Sequence, residues 1–209
     1  MATLLHVDSS PLGEASISRH LTKEFVQNWK AANPNGKVIT LDLTSTSLKP
    51  ITGEWVGSAY TPEDARTSAQ HELLAPSDVL VAELEAADEY VFGVPMHNFA
   101  IPSVLKLWID LIARVGKTFS YANGTPEGLL KGKKATFLIA TGGNYDPSTA
   151  MAAYNFVEPY LRAVFGFLGV TELTFITAGG AAALNYGKVD RQTFLQPHVE
   201  SVRAQFQAA

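Results

Sequence analysis

Short apolar runs alternate with longer segments of helical periodicity along the chain, and this alternation restricts the fold more than any other feature. Each run is too short for a stable helix and ends near turn residues, which is typical of a strand. Helical spacing follows each run, as at Ile17, Leu21 and Phe25. The predicted strands are Thr3–Val7, Val38–Leu43, Tyr90–Val94, Ala135–Ala140 and Leu173–Thr177.

Strands that alternate with helices need crossover connections, and these produce a parallel sheet with helices on both faces. The run Tyr90–Val94 is apolar throughout, as expected for a central strand that is buried on both sides. With 209 residues, 46% of them hydrophobic, the chain can fill one sizeable core. We therefore predict a three-layer α/β fold and a single domain over residues 1–209.

The segment from Thr44 to Ser68 is too long for a plain connection in such a domain. It is rich in Ser, Thr, Pro and Gly and carries Trp55 and Tyr60. Two interpretations stay open at this point, a lid over a site or an arm that binds a partner.

Charge and composition exclude several classes of function. Sixteen Lys and Arg against 20 Asp and Glu leave a formal charge of −4, so no basic field gathers nucleic acid or an anionic membrane surface. No segment approaches the roughly 20 apolar residues that span a bilayer, and Met1–Asp8 lacks the basic start of a signal peptide. We expect a soluble, cytoplasmic protein with neither nucleic acid nor membrane as a partner.

The chain has no cysteine, which excludes thiolate nucleophiles, disulfides and cysteine-ligated metals. Its histidines show no spacing typical of a metal site, and we predict none. Any redox chemistry must therefore come from a bound cofactor.

Ligands of parallel α/β sheets bind outside the carboxyl ends of the strands, so the loops there are the first candidates for a site. Residues 8–18 follow the first strand, contain four serines and lead into a helix whose free N–H groups can meet an anion. Ser16 could equally serve only as a helix cap. The loop lacks the GxGxxG pattern of dinucleotide sites, which favours a monophosphate.

Two further loops follow the third and fourth strands. Pro95 and Pro102 bracket a segment in which Met96 and Phe99 could cover a planar heterocycle, or could simply fill the core. Gly142-Gly143 permits positive φ and a close backbone approach, although such turns also occur without a ligand.

Taken together, these loops resemble the FMN-dependent NADH:quinone oxidoreductases and azoreductases, which have a flavodoxin-like fold. The resemblance spans essentially the whole chain and no single loop carries it. Its specific parts are Ser9-Ser10 with Ser16 and Ser18, the Pro95–Phe99 loop, residues 110–116, residues 118–121 and Gly142-Gly143.

The resemblance implies a five-stranded sheet in the order 2-1-3-4-5 and an FMN cofactor. The serines would hold the phosphate and ribityl end, the third-strand loop the isoalloxazine edge, and the fourth-strand loop its other side. The implied cofactor-binding residues are Ser10, Ser16, Ile17, Ser18, Met96, His97, Asn98, Phe99, Ala140, Thr141, Gly142 and Gly143.

The chain departs from many relatives at His97, where they carry Tyr or Trp, and at Ala140-Thr141. An imidazole titrates near neutrality and could tune the reduced ring, or it could only line the mouth of the site. Phe119 and Tyr121 are further candidates to line the substrate cleft, and Tyr145 is another.

The activity implied is two-electron transfer from NADH or NADPH to quinones and azo compounds by ping-pong kinetics, with no catalytic side chain because the flavin carries the electrons. In relatives a second subunit completes the cleft, which implies a homodimer. The alternative is a flavodoxin-type electron carrier that acts with protein partners. Such carriers usually present a strongly acidic face, and the modest net charge favours the enzyme.

Overall fold

The computed structural model describes residues 1–122 and 124–207, which form seven strands and seven α-helices. The strands are Thr3–Asp8 (β1), Lys37–Asp42 (β2), Glu89–Pro95 (β3), Phe119–Ser120 (β4), Glu127–Gly128 (β5), Lys134–Ala140 (β6) and Glu172–Ala178 (β7). The helices are Ile17–Ala32 (α1), Gly53–Tyr60 (α2), Ser68–Ala86 (α3), Ser103–Ile112 (α4), Val157–Phe167 (α5), Ala182–Asn185 (α6) and Arg191–Ala204 (α7).

The main sheet is parallel and its strands lie in the order β2-β1-β3-β6-β7. This is the predicted order 2-1-3-4-5, because the short strands β4 and β5 form a separate antiparallel hairpin that the sequence did not indicate. All five predicted strands are confirmed, and each boundary differs from the prediction by one residue at most.

Aromatic side chains hold the centre of the sheet together. Phe92, Phe137 and Phe175 are paired in register on β3, β6 and β7, and their rings stack with centroids 5.0 Å and 4.9 Å apart. Trp108 of α4 and Phe165 of α5 cover Phe92 edge to face, with centroids 5.6 Å and 5.1 Å away. Buried aromatic pairs of this kind add about 0.5–1.5 kcal/mol each beyond their burial.

A second apolar cluster lies on the opposite face, where α1 and α7 cover the sheet through residues such as Leu21, Phe25 and Leu195. The sheet is thus buried between two helical layers, and the three-layer prediction is confirmed. Because its strands are parallel, all five carboxyl ends lie along one edge. Within the described residues, no helix has both the length and the apolar character needed to cross a bilayer.

The long segment from Thr44 to Ser68 is packed against the rest of the protein. It contains α2, whose Trp55 is buried beneath the guanidinium of Arg114, 5.4 Å from the ring centre. Near the end of the segment, the Glu63 carboxylate forms an ion pair with the ammonium group of Lys117 at 3.7 Å. The two roles considered for this segment, lid or partner arm, stay predictions.

Gly93 lets α1 approach β3 closely beneath the first loop. A Cβ at this position would collide with Oδ1 of Asp8 and lie 3.1 Å from Cγ2 of Thr22. The Asp8 carboxylate cannot easily move aside, because Thr22 donates a 2.9 Å hydrogen bond to that same oxygen.

We therefore expect Gly93→Ala to lower the free energy of unfolding by about 1–3 kcal/mol, as overpacking of a tight interior does. Urea denaturation measures this change. Gly57→Ala is the control, because a Cβ there meets no atom within 4 Å and Ala favours the helix α2. Equal stability of the two variants would contradict a close contact at Gly93.

Candidate functional site

A cavity of about 640 Å³ opens at the carboxyl edge of the sheet, between the loops that follow β1, β3 and β6. Its volume lies within the roughly 300–1,000 Å³ typical of small-molecule sites. Eight of the twelve residues singled out from the sequence line it, namely Ser10, Ser16, Ile17, Met96, His97, Ala140, Thr141 and Gly142.

The other four lie next to the cavity but do not line it. Ser18 is fully buried behind Ser16, and their hydroxyl oxygens are 3.1 Å apart. Asn98 lines a neighbouring hollow, and Phe99 is 41% exposed. The carbonyl of Gly143 is engaged within the protein, where it accepts hydrogen bonds from Thr141 Oγ1 and from the N–H of Gly180.

The first loop presents unpaired hydrogen-bond donors at the start of α1. The N–H groups of Ile17 and Ser18 have no acceptor among the described residues. Ser16 caps the helix by accepting the N–H of Arg19 at 3.2 Å, so the interpretation of Ser16 as a cap is confirmed. Ser16 also lines the cavity, and capping does not exclude a second role. Free N–H groups at a helix N-terminus form a site suited to an anion.

Arg19 links this loop to carboxylates at the ends of β1 and β2. The guanidinium of Arg19 donates to the Ser10 carbonyl at 2.8 Å and to the Asp42 carboxylate at 2.7 Å. The hydrogen bond between Arg19 and Asp42 lowers the pKa of Asp42 to about 2 and raises the pKa of Arg19. Asp8 lies 3.6 Å from the same guanidinium. Asp42 and Arg19 therefore stay charged at neutral pH, and the loop stays attached to β1 and β2.

The second loop is a tight reversal at the end of β3. His97 and Ala100 exchange backbone hydrogen bonds of 2.9 Å and 3.0 Å, and the two residues between them have positive φ, 48° at Asn98 and 71° at Phe99. Positive φ in residues other than glycine is strained and tends to occur where function requires it. Met96 packs against the core, as one interpretation of this loop expected, whereas Phe99 does not.

The third loop differs from the expectation in one respect. Neither Gly142 nor Gly143 has positive φ, so conformational freedom is not the reason for the pair. A Cβ on Gly142 would meet no atom within 4 Å, and one on Gly143 would lie 3.2 Å from the Tyr145 ring. The missing side chain of Gly142 instead leaves room in the cavity.

The loop after β7 forms a fourth wall that sequence reasoning missed. The N–H groups of Gly180, Ala181 and Ala182 donate to the carbonyls of residues 143, 141 and 142, which ties this loop to the third one. Its alanines carry no chemical motif, and its position after the last strand was the one available signal. The additional lining residues are Ala181, Ala182, Leu184, Asn185, Val189, Asp190 and Arg191.

The aromatic residues considered for a substrate cleft lie outside this cavity. Phe119 is buried and packs against Phe167, with ring centres 4.9 Å apart. Tyr121 is half exposed beside it. Tyr145 contacts the edge of Phe99, at 6.2 Å between ring centres.

A second hollow of about 790 Å³ adjoins the first and shares His97 with it. Its walls come from the loop after β3 and from α4 and α5, and they include Ile101, Phe156 and Tyr160. The exposed imidazole of His97 therefore stands at the boundary between the two hollows.

Comparison with known proteins agrees with this geometry. A family model described as a flavodoxin-like fold matches residues 2–206. An FMN-dependent NADH:quinone oxidoreductase of Acidobacterium capsulatum is 54% identical over 203 residues, which cover 97% of this chain and 98% of that protein. FMN-dependent NADH:quinone oxidoreductase 3 of Burkholderia lata is 49% identical over 206 residues, 99% of this chain and 100% of that protein.

Among solved structures, the azoreductase AzrA is 27% identical and superimposes with a TM-score of 0.88 over the full length of both chains. An azoreductase from Bacillus anthracis is 26% identical, with the same TM-score and coverage. Sequence and structure thus agree over the whole chain, which belongs to the flavodoxin-like family of FMN-dependent NADH:quinone oxidoreductases.

Proposed function

We propose that this protein is an FMN-dependent oxidoreductase that transfers two electrons from NADH to quinones and azo compounds. The observation that carries the proposal is the cavity at the carboxyl edge, where eight residues of three separate loops meet. Relatives at 54% and 49% identity are FMN-dependent NADH:quinone oxidoreductases, and solved relatives are azoreductases. This function is therefore favoured over that of a flavodoxin-type electron carrier.

The donors in the cavity fit the phosphate of FMN. Ser10 and Ser16 offer hydroxyl groups, and Ile17 and Ser18 offer unpaired backbone N–H groups at the N-terminus of a 16-residue helix. Such groups bind a phosphate without a glycine-rich loop, through hydrogen bonds and the helix dipole. We assign these four residues to the phosphate and ribityl end.

The opposite part of the cavity fits a planar ring. Met96 and His97 line one side and Ala140, Thr141 and Gly142 another, and Asn98, Phe99 and Gly143 extend these two loops. The small residues of the fourth-strand loop leave room for a flat ring. The strained turn at Asn98 and Phe99 holds the backbone of the third-strand loop in one conformation. Bound FMN supplies the two-electron chemistry, which none of these side chains can supply.

The chain's own contribution is to bind, orient and expose the ring. We assign His97 to the mouth of the site, because its imidazole is exposed and borders both hollows. A single open face that receives NADH and then the acceptor gives ping-pong kinetics. The cytoplasmic location of the protein stays a prediction.

We further propose that the enzyme is a homodimer. Phe99, Tyr154 and Phe156 are exposed beside the second hollow, and the rings of Phe99 and Tyr154 lie 5.3 Å apart. Contiguous exposed apolar surface next to a site marks an interaction surface. A second copy on this face would cover these rings and narrow the approach to the cavity, while Phe119 and Tyr121 stay candidates for the rest of the cleft.

Absorption spectroscopy of the purified protein tests the function directly. After addition of FMN and removal of the excess, we expect oxidised flavin bands that bleach with NADH under anaerobic conditions and return when a quinone is added. A protein that stays colourless after incubation with FMN would contradict the proposal.

The phosphate assignment is tested by the double variant Ser16→Ala with Ser18→Ala. We expect FMN affinity to fall about tenfold or more, because a hydrogen bond to a charged group contributes about 1.5–3 kcal/mol. Ser16 loses the hydroxyl that lines the cavity, and Ser18 loses the hydroxyl 3.1 Å behind it that holds the Ser16 hydroxyl in place. Titration of flavin fluorescence measures the affinity. Ser201→Ala, an exposed serine on α7, is the control and should leave affinity unchanged. Unaltered affinity in the double variant would argue against the assignment.

Sedimentation velocity tests the homodimer. We expect the flavin-loaded protein to sediment as a dimer, and Phe156→Glu to shift it toward the monomer, because burial of a carboxylate in an apolar interface is costly. A monomeric wild-type holoprotein would refute the dimer.

A further inference from the structure

Arg191 makes an unusual set of contacts with the first loop. It is the first residue of α7, at the far end of the sequence, yet its guanidinium reaches three consecutive carbonyls. It donates to Ala15 at 2.8 Å, to Ser16 at 3.1 Å and to Glu14 at 3.4 Å. These carbonyls immediately precede α1, where the unpaired N–H groups begin.

The contact with Ser16 has a direct geometric consequence. In a trans peptide the C=O and the following N–H point in opposite directions. When Arg191 holds the Ser16 carbonyl, the orientation of the Ile17 N–H is therefore set as well. Ile17 and Ser18 are the two residues at the start of α1 whose N–H groups have no acceptor among the described residues.

Arg19 acts on the other end of the same loop. Its Nε donates to the Ser10 carbonyl at 2.8 Å, and its Nη2 is anchored on Asp42 at 2.7 Å. The two arginines thus donate hydrogen bonds to carbonyls at the two ends of the segment from Ser10 to Ser16. Carbonyl oxygens repel an anion, so their engagement by guanidinium groups makes the loop more favourable to a phosphate.

Arg191 also contributes charge to the cavity. Among the described residues that line the cavity, it is the one Lys or Arg side chain. The neighbouring Asp190 caps α7, where its carboxylate accepts the N–H of Thr193 at 2.9 Å and the Thr193 hydroxyl at 2.6 Å. These hydrogen bonds lower the pKa of Asp190 and hold its carboxylate at the N-terminus of α7.

We propose that Arg191 is a positioning residue for the phosphate of the mononucleotide: it holds the carbonyls of residues 14–16 so that the N–H groups at the start of α1 face the cavity. The proposal rests on the proposed function, since it assigns a role within the same site. It also makes α7 a part of that site. Loss of Arg191 should therefore affect ligands that carry the phosphate and spare those that lack it.

A comparison of FMN with riboflavin tests this selectivity. For Arg191→Met we expect the dissociation constant of FMN to rise about tenfold, because the loop loses charge-assisted hydrogen bonds. The dissociation constant of riboflavin should change less than about twofold, because riboflavin has no phosphate. Arg191→Lys, which keeps the charge but not the planar fork, should lie between wild type and Arg191→Met for FMN.

Arg203→Met is the matched control. Arg203 lies on the same helix, and its removal changes the net charge equally, but its partner is Glu24 at 3.1 Å and it does not touch the loop. Both flavins should bind this variant as they bind wild type.

Hydrogen exchange of the flavin-free protein gives a second readout that does not depend on FMN. The amides of residues 13–18 should exchange faster in Arg191→Met than in wild type or Arg203→Met, since the loop is no longer held. An equal loss of affinity for FMN and riboflavin would overturn the positioning role in favour of a general structural one.

Unchanged FMN affinity in Arg191→Met would overturn the role of Arg191 and leave the proposed function intact. Failure of the wild-type protein to bind FMN at all would instead overturn the proposed function, and this role with it.

Discussion

The stacked rings of Phe92, Phe137 and Phe175 join three neighbouring strands of the main sheet. They pair β3, β6 and β7 in one register and are covered by α4 and α5. A shift of one residue would move every side chain of a strand to the opposite face, so these rings leave the sheet little freedom to slip. Because the strands are parallel, this register also determines where their carboxyl ends stand. The loops after β3 and β6 therefore begin side by side, at the paired residues Pro95 and Ala140.

The anion-binding part of the candidate site consists of backbone N–H groups without partners at the start of α1 and of nearby serine hydroxyls. Its donors are N–H groups and serine hydroxyls, and the arginines around it act on carbonyls of the loop. Such an arrangement binds an anion through geometry more than through net charge, which agrees with a chain of formal charge −4. The turn at Asn98 and Phe99 lies beside the cavity, and the missing side chain of Gly142 leaves room within it.

Several elements show how far reasoning from the sequence reaches. The strands and the loop serines were predictable because short apolar runs and helix starts have local signatures. The Gly142-Gly143 pair does not use the positive φ that glycine permits, because a sequence shows that glycine can adopt it but not whether the fold requires it. The interpretation of Phe99 as core failed because its burial depends on the turn that carries it. The wall from Ala181 to Arg191 was missed because alanines carry no chemical signal.

The layer architecture and the loops at which to look for a ligand can be predicted from the sequence alone, and the strand order can be predicted from the resemblance. The layers and the loops follow from periodicity and from residue types that act within a few positions of one another, whereas the strand order is what the family resemblance implies. Two features became visible in three dimensions alone: Arg191 contacts the carbonyls of residues 14–16, and the loop after β7 lines the cavity. The contacts of Arg191 join residues about 175 positions apart and depend on the packing of α7 against α1, and those of the loop after β7 join residues about 40 positions apart. No local sequence pattern selects partners at such distances.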